Sequence, residues 1–402
     1  MRVLMVLLGK YPPDPRVRKE SKALIESGHD VRILCSGNDI GTKTVNGAKV
    51  RGIPFWESSA DLSISGLKRA YSLLLKNIYP ELKKEVENEI KKHNIDVVHV
   101  HDLPPAKTVL SATDLPVILD LHENYQEAIR QYRSIKTAVS NPKSAIYRLF
   151  LPAIRYKYEQ EIAMRRADHV LAVVQEAKEE YKNSGIGEEK ITIVSNTVDR
   201  SWFNEYSSGY TACEDDRYLM TYSGGLNGHH RGHRGLDTAV ESQPIIKSEI
   251  SNSKFRMAGG GSMEADLKEL AENLGVREYV EFTGWVNETE LPKYIRAADV
   301  GVVPHRSNPH TNTTVPHKLF HYMASGIPVL VTETDAVARI VRETDSGVVV
   351  PPEDPEAFAE GAIKLADPDR RAALGRNGYN AVEKKYNWKR DAENLKRVYE
   401  NI

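Results

Sequence analysis

Cysteine is nearly absent: the 402 residues include only Cys35 and Cys213. Two thiols build neither a disulfide framework nor a thiolate metal cluster, so a reducing, cytoplasmic setting is expected. Long apolar runs are missing as well. VLMVLL at residues 3–8 is too short for a membrane span or a signal sequence, and Lys10 and a proline turn follow it directly, so it reads as a first strand. No short-period repeat or low-complexity tract occurs. Net charge is slight: 55 Lys and Arg against 56 Asp and Glu give −1, and a pI near 6.9 argues against nucleic acid as a partner. The small charge is unevenly spread, with 31 basic and 26 acidic residues in 1–200 and 24 and 30 in the remainder. In the first half, Arg130, Arg133, Lys136, Lys143, Arg148, Arg155, Lys157, Arg165 and Arg166 interleave with Ile146, Leu149, Phe150, Leu151 and Ile154. Such a segment suits a peripheral contact with anionic lipid at the inner face of a membrane. A solvated helix face packed on its own domain is the plainer alternative, and both stay open.

Present instead are short β-branched runs alternating with helical stretches, the pattern of parallel sheets covered by helices. RVLMVLL, DVRILC, DVVHV, VILDL, HVLAVV and ITIVS serve as strands of the first half; YLMTYS, KFRMAG, YVEFTG, DVGVVP, IPVLV and GVVVP serve the second. Six and six predict an α/β protein of two Rossmann-like, doubly wound parallel-sheet domains, since 402 residues are long for one core. Residues 199–216 break periodicity and are the expected linker. The domains then span 1–198 and 217–386, with a closing helix over 387–402.

In open α/β sheets ligands bind beyond the carboxyl ends of the strands, so polar residues placed there are site candidates. They are His99, His101 and Asp102; His122 and Glu123; Gly225; the Gly259–Gly261 turn with Gly260 and Gly261; and His305, Arg306 and His310. If the two domains face each other, both sets share a cleft. Arg16, in the first strand-to-helix loop, is a further candidate for that cleft. Arg231 and Arg234 accompany glycines at a second strand-to-helix junction, and arginine matches phosphate oxygens in a two-pronged fork. HTNTTVPHKLFHYMASGIP at 310–328 reads as a helix entry, with Thr313 and Thr314 as capping oxygens and Pro316 in the first turn. Leu319, Phe320 and Met323 form its core side, while His317, Lys318 and His321 spread over the polar side. Its start, with free N–H groups, suits an anion. The histidines at 229, 230 and 233 and at 305, 310, 317 and 321 raise a metal site. No companion Glu or Cys supports it, and no metal is expected.

DPRVRKESKALIESGHDV, DVVHVHD, DLHEN, ITIVSNTVD, RGLDTAVE, FRMAGGG, VEFTGWV and KLFHYMASGIPVL, in this order, make the chain resemble the retaining glycosyltransferases of the GT-B fold. This is the glycosyl transferases group 1 family that includes bacterial glycogen synthase and cell-envelope mannosyl- and glucosyltransferases. The resemblance covers nearly the whole chain. It implies an acceptor-binding first domain, a nucleotide-sugar-binding second domain, a last helix crossing back to the first, and no cofactor beyond the nucleotide-diphosphate sugar. The implied activity transfers a hexose-type sugar to a glycan or lipid-linked acceptor. By the same resemblance His122 lines the transfer site. Arg234, with Arg231 as its rival, binds the donor diphosphate, the backbone at Thr314 and Val315 contacts donor phosphate or sugar, and Lys318 adds charge. The family's Glu-x7-Glu pair is replaced by Thr313 and His321, and its other phosphate arginine by Leu226. Two further readings remain: an epimerase of the same fold acting on a nucleotide sugar, and a degenerate relative that only binds nucleotide or glycan.

Overall fold

A computed structural model describes residues 1–12, 14–36, 41–54, 78–122, 153–207, 217–227 and 234–402. The chain forms two compact units, Met1–Ser195 with Asp391–Ile402, and Asn196–Arg390. Each is one mostly parallel sheet flanked by helices, the Rossmann-like pair expected of a GT-B protein.

The first sheet comprises β1 (Arg2–Leu7), β2 (Asp30–Ser36), β3 (Gly41–Val45), β4 (Ala48–Ile53), β5 (Val97–His101), β6 (Val117–Leu121), β7 (His169–Ala172) and β8 (Ile191–Ile193), in the order β3-β4-β2-β1-β5-β6-β7-β8. All its pairings are parallel except β3 with β4. That hairpin was absent from the six expected strands. Its signal is Asn46-Gly47, both at positive φ, the dipeptide that two-residue hairpin turns select. The second sheet comprises β9 (Tyr218–Ser223), β10 (Ser253–Ala258), β11 (Val280–Phe282), β12 (Val300–Val303), β13 (Val329–Thr332) and β14 (Gly347–Val350), ordered β11-β10-β9-β12-β13-β14. Counted from its first strand this is the order 3-2-1-4-5-6 of dinucleotide-type sheets. The central strands β1, β5, β6, β9, β12 and β13 are buried along almost their whole length, which is why they read as continuous apolar runs instead of alternating ones.

Each sheet has a switch point where the parallel order turns from one side to the other, between β1 and β5 and between β9 and β12, and the side chains at those carboxyl ends belong to the sites described next. Residues 200–207, expected to start a linker, form the helix Arg200–Ser207 and belong to the second unit. Its Phe203 is fully buried and anchors the helix. The closing helix, Trp388–Glu400, starts in the second unit and from Asp391 onward belongs to the first.

Candidate active site

In the first unit, chemistry gathers behind the carboxyl ends of β5 and β6. Asp14 caps the helix Pro15–Glu26, its carboxylate accepting from the Arg16 and Val17 amides, and Pro15 fills the first turn. Arg16 and Glu20, one turn apart, therefore share the helix face laid on the sheet. His99 and His101 alternate onto the same side of β5, and Asp120 pairs with His101 in β6. Arg16 donates to both oxygens of Asp120, at 2.8 and 2.6 Å, and to the Val194 carbonyl at 2.9 Å, with its Nε also 3.0 Å from Glu20. Arg16 was expected in a loop facing a cleft. It is instead a fully buried helical residue, held by a carboxylate 104 positions away.

His122, just past β6, is the outermost member of this group, with 15% of its side chain exposed. Its Nε2 lies 2.6 Å from Asp120 Oδ2 and its Nδ1 3.5 Å from Asp102 Oδ2, and its amide donates to Asp102 Oδ1 at 3.1 Å. Burial opposes the charged imidazole, but Asp102 and Asp120 together outweigh it and push His122 up to about 10. Burial and the Asp120 charge push the Glu20 carboxyl up to about 8 against the pull of Arg16. Burial also disfavours charged Asp120, yet Arg16 and His122 hold it well below the usual carboxylate range. His99, whose Nδ1 is 2.9 Å from the Tyr399 hydroxyl, and His101 are both lowered by burial. The structure thus brings the candidates His101, Asp102, His122 and Arg16 into one assembly. Glu123 lies outside the described residues. Glu20 and Asp120 were missed, since nothing in KESKAL or VILDL marks them as members.

Glu20, His99, His101 and Asp120 bring ligand atoms within 4.8 Å of one another, so a metal must be tested. The donor set fits poorly. Arg16 already pairs with both carboxylates, and the rings of His99 and His101 are stacked at 4.5 Å with planes 13° apart. Nitrogen lone pairs lie in the ring plane, so two nearly parallel rings do not aim at one ion as a tetrahedral site requires.

In the second unit the candidate site lies past β9. Gly224, at φ 140°, sits where an added Cβ would be 3.0 Å from Lys318 Nζ, 3.1 Å from Arg234 Nη1 and 3.3 Å from the Tyr222 hydroxyl. Arg234 donates to the Tyr222 hydroxyl at 2.6 Å and to the Gly225 carbonyl at 2.9 Å, which fixes its fork there. Lys318 was expected on the polar side of its helix. It is buried, 8% exposed, with its ammonium 3.5 Å over the Tyr222 ring. Its Nζ has no hydrogen-bond partner, nor has Arg234 Nε, and neither residue forms an ion pair among the described residues. Burial, and then Arg234, hold Lys318 well below the usual lysine range. An arginine and a lysine thus converge on a glycine with no anion to balance them among the described residues. Arg231, with His229, His230 and His233, lies outside the described residues.

The 310–328 region differs from its expected capping. A short helix, Pro309–Asn312, is closed by an Asn308–Thr311 capping box, and His317–Ala324 begins after Pro316 as its N-cap. Thr313 and Thr314 are not caps: their hydroxyls donate back to the Pro309 and His310 carbonyls, at 2.8 and 2.9 Å. The Thr314 and Val315 amides donate to no protein group among the described residues, while the Val315 carbonyl accepts from Asn196. His321 stacks on Phe203 at 5.5 Å, and the His317 ring, 6.4 Å from it, places Nδ1 3.0 Å from the Asn196 carbonyl oxygen. Leu319, Phe320 and Met323 are fully buried, and Gly326 at φ 72° follows the helix end. The Gly259–Gly261 turn was expected to let a phosphate approach. Its missing Cβ atoms instead admit protein backbone: a Cβ on Gly259 would lie 2.1 Å from the Gly224 carbonyl oxygen, and one on Gly261 2.3 Å from the Leu226 carbonyl carbon. Gly260 accepts from the Leu226 amide, so this turn braces the loop that carries Gly224.

The basic segment lies largely outside the described residues. Within it, on the helix Ala153–Arg166, Arg165 donates to the Ser184 carbonyl and Arg166 to the Leu110 carbonyl. No helix among the described residues is long and apolar enough to cross a membrane.

Comparison with known proteins agrees with this layout. Residues 16–202 match Glycosyltransferase Family 4, and residues 218–367 match Glycosyl transferases group 1. An uncharacterized glycosyltransferase of Methanocaldococcus jannaschii is 23% identical over 393 residues, covering 94% of this chain and 91% of the relative. A phosphatidyl-myo-inositol mannosyltransferase of Mycolicibacterium smegmatis is 23% identical over 392 residues, covering 95% and 88%. Among solved structures, sucrose-phosphate synthase of Thermosynechococcus elongatus superposes with a TM-score of 0.75 at 16% identity, over 100% of this chain and 98% of that one. With one family matched on each of its two Rossmann-like units, the chain belongs to the GT-B-fold glycosyltransferase superfamily.

Proposed function

We propose that the protein is a retaining glycosyltransferase that moves a hexose from a nucleotide-diphosphate sugar to a glycan or lipid-linked acceptor, without a bound metal. The observation that carries this reading is the pair Arg234 and Lys318 at Gly224. Burying positive charge without a counter-charge is costly, so Lys318 beside Arg234 is driven toward its neutral amine, and a ligand that brings negative charge would restore it as a cation. A diphosphate does so. Arg234 offers a fixed fork, Lys318 a point charge, and the amides of Thr314 and Val315 add donors. Lipid-linked acceptors are favoured by the likeness to the phosphatidyl-myo-inositol mannosyltransferase.

In the transfer, the bond between the anomeric carbon and the diphosphate oxygen breaks, and an acceptor oxygen bonds that carbon on the same face. The acceptor's proton passes to the departing diphosphate. Negative charge grows on the leaving group, so preorganised cations there favour the transition state over the bound donor. His122, from the first unit, orients a sugar or acceptor hydroxyl. Incubation with a panel of labelled nucleotide sugars, with and without chelator, tests the reading. Transfer or slow donor hydrolysis that survives chelation is expected. Nucleotide binding with no turnover from any donor overturns it in favour of a binding-only protein.

A further inference from the structure

His122 ends a chain of ionisable groups whose arrangement dictates its charge. From β5 it is faced by His101, whose Nδ1 is 3.3 Å from His122 Nε2, with His99 stacked behind. From the turn after β5 it is faced by Asp102, and from β6 by Asp120. Behind Asp120 stand Arg16 and Glu20 of the helix Pro15–Glu26.

Both ring nitrogens of His122 therefore look at carboxylate oxygens, which only accept when ionised. A neutral imidazole has one N–H and would set a lone pair against one of the two. The charge count agrees. Arg16 is permanently protonated and fixes Asp120 as a carboxylate. Glu20 receives no hydrogen bond from a described residue, and as a neutral acid it adds no charge. Arg16, Asp120 and Asp102 then leave one negative charge over, which a protonated His122 closes.

From this geometry we infer that Asp120 and Asp102 hold His122 as an imidazolium throughout the neutral range, making Asp120 a positioning residue that acts through His122. The inference rests on the reading of His122 as the group that meets sugar or acceptor. Nε2–H is committed to Asp120 at 2.6 Å. Nδ1, at 3.5 Å from Asp102, is beyond a good hydrogen bond, so its proton is held by charge and is available to a hydroxyl oxygen. An imidazolium cannot take the acceptor's proton, which therefore goes to the diphosphate oxygen. The first unit supplies a fixed positive donor, not a base.

Full-length protein labelled with 13C-histidine tests this by NMR, the His122 signal being assigned by its loss in His122→Gln. The signal is expected to stay that of an imidazolium from about pH 6 to 8.5 and to move only toward about pH 10. Asp120→Asn should lower its midpoint by about 1–3 pH units, the usual effect of an opposite charge in contact. Should that variant not fold, the less buried Asp102→Asn should lower the midpoint by about one unit. A native midpoint between about pH 6 and 7, or one unmoved in the folded variants, overturns the charge assignment. Turnover supplies the second readout. Native kcat should be flat across neutral pH, while in Asp120→Asn or Asp102→Asn it should fall as pH rises through the new midpoint, about tenfold per unit beyond it, with KM for donor unchanged. A charged His122 whose replacement by Gln leaves transfer intact overturns the positioning role and the functional reading beneath it.

Discussion

The two units handle buried charge in opposite ways. In the first, Arg16, Asp120, His122 and Asp102 form a set in which each ion has a counter-ion within about 3.5 Å, with Glu20 beside them as a neutral acid. In the second, Arg234 and Lys318 stand together at Gly224 with a tyrosine and a carbonyl for company and no carboxylate among the described residues. A closed set belongs to the fold, because removing one member strands another. An open set does not complete itself among the described residues, and a ligand that brings negative charge would complete it. The contrast separates residues that hold one another from residues proposed to receive the donor.

The largest effect should come from breaking the closed set. Arg16→Met leaves Asp120 buried without its arginine and is expected to cost about 3–5 kcal/mol, read by chemical denaturation. A variant as stable as the native chain would show that the set is not closed. Next comes the open set: Arg234→Ala removes a charge-assisted fork and should weaken nucleoside-diphosphate binding by about 2–3 kcal/mol, roughly 30- to 150-fold by calorimetry. Unchanged affinity would end its assignment to phosphate.

A subtler difference concerns protons. Lys318 is held below its ordinary range by burial and by Arg234, so a bound diphosphate should restore its charge. Nucleotide binding should then take up as much as about one proton per site, seen as a dependence of binding heat on buffer ionisation enthalpy, and Lys318→Met should abolish it. Glu20 offers the matching test beside the closed set. Its folded pKa, raised to about 8 from 4.5, favours the folded state fully below about pH 4.5, an advantage lost as pH rises through about 8. Glu20→Gln should flatten that decline, by roughly a few °C in melting temperature between about pH 5 and 8. The smallest effect should be Lys318→Met on stability without ligand. Replacing a buried amine already held toward its neutral form by an apolar chain of similar length should change it by under about 1 kcal/mol, and upward if at all. A marked loss would mean that Lys318 serves the fold.

Much of the architecture was legible in order along the chain. Runs such as RVLMVL and VLVT are apolar on both faces because both faces of a parallel sheet are covered, and His122 and Gly225 follow strands whose ends could be read. The β3–β4 hairpin carried a readable turn that was passed over, and the helix Arg200–Ser207 was hidden among Ser, Asn and acids. Lys318 and Arg16 could not be judged locally. PHKLFHY and DPRVRKE both look like helices with a solvated basic side.

The sequence by itself determined the strands, their βα alternation and the glycine and histidine positions at strand ends, because periodicity and turn chemistry are local properties. Only the tertiary structure decided which charges are buried and what they face. Arg16 becomes a buried cation paired with Asp120, and Lys318 is buried over Tyr222 beside Arg234. Desolvation and Coulomb energy depend on distance in space, and chain spacing does not encode that distance.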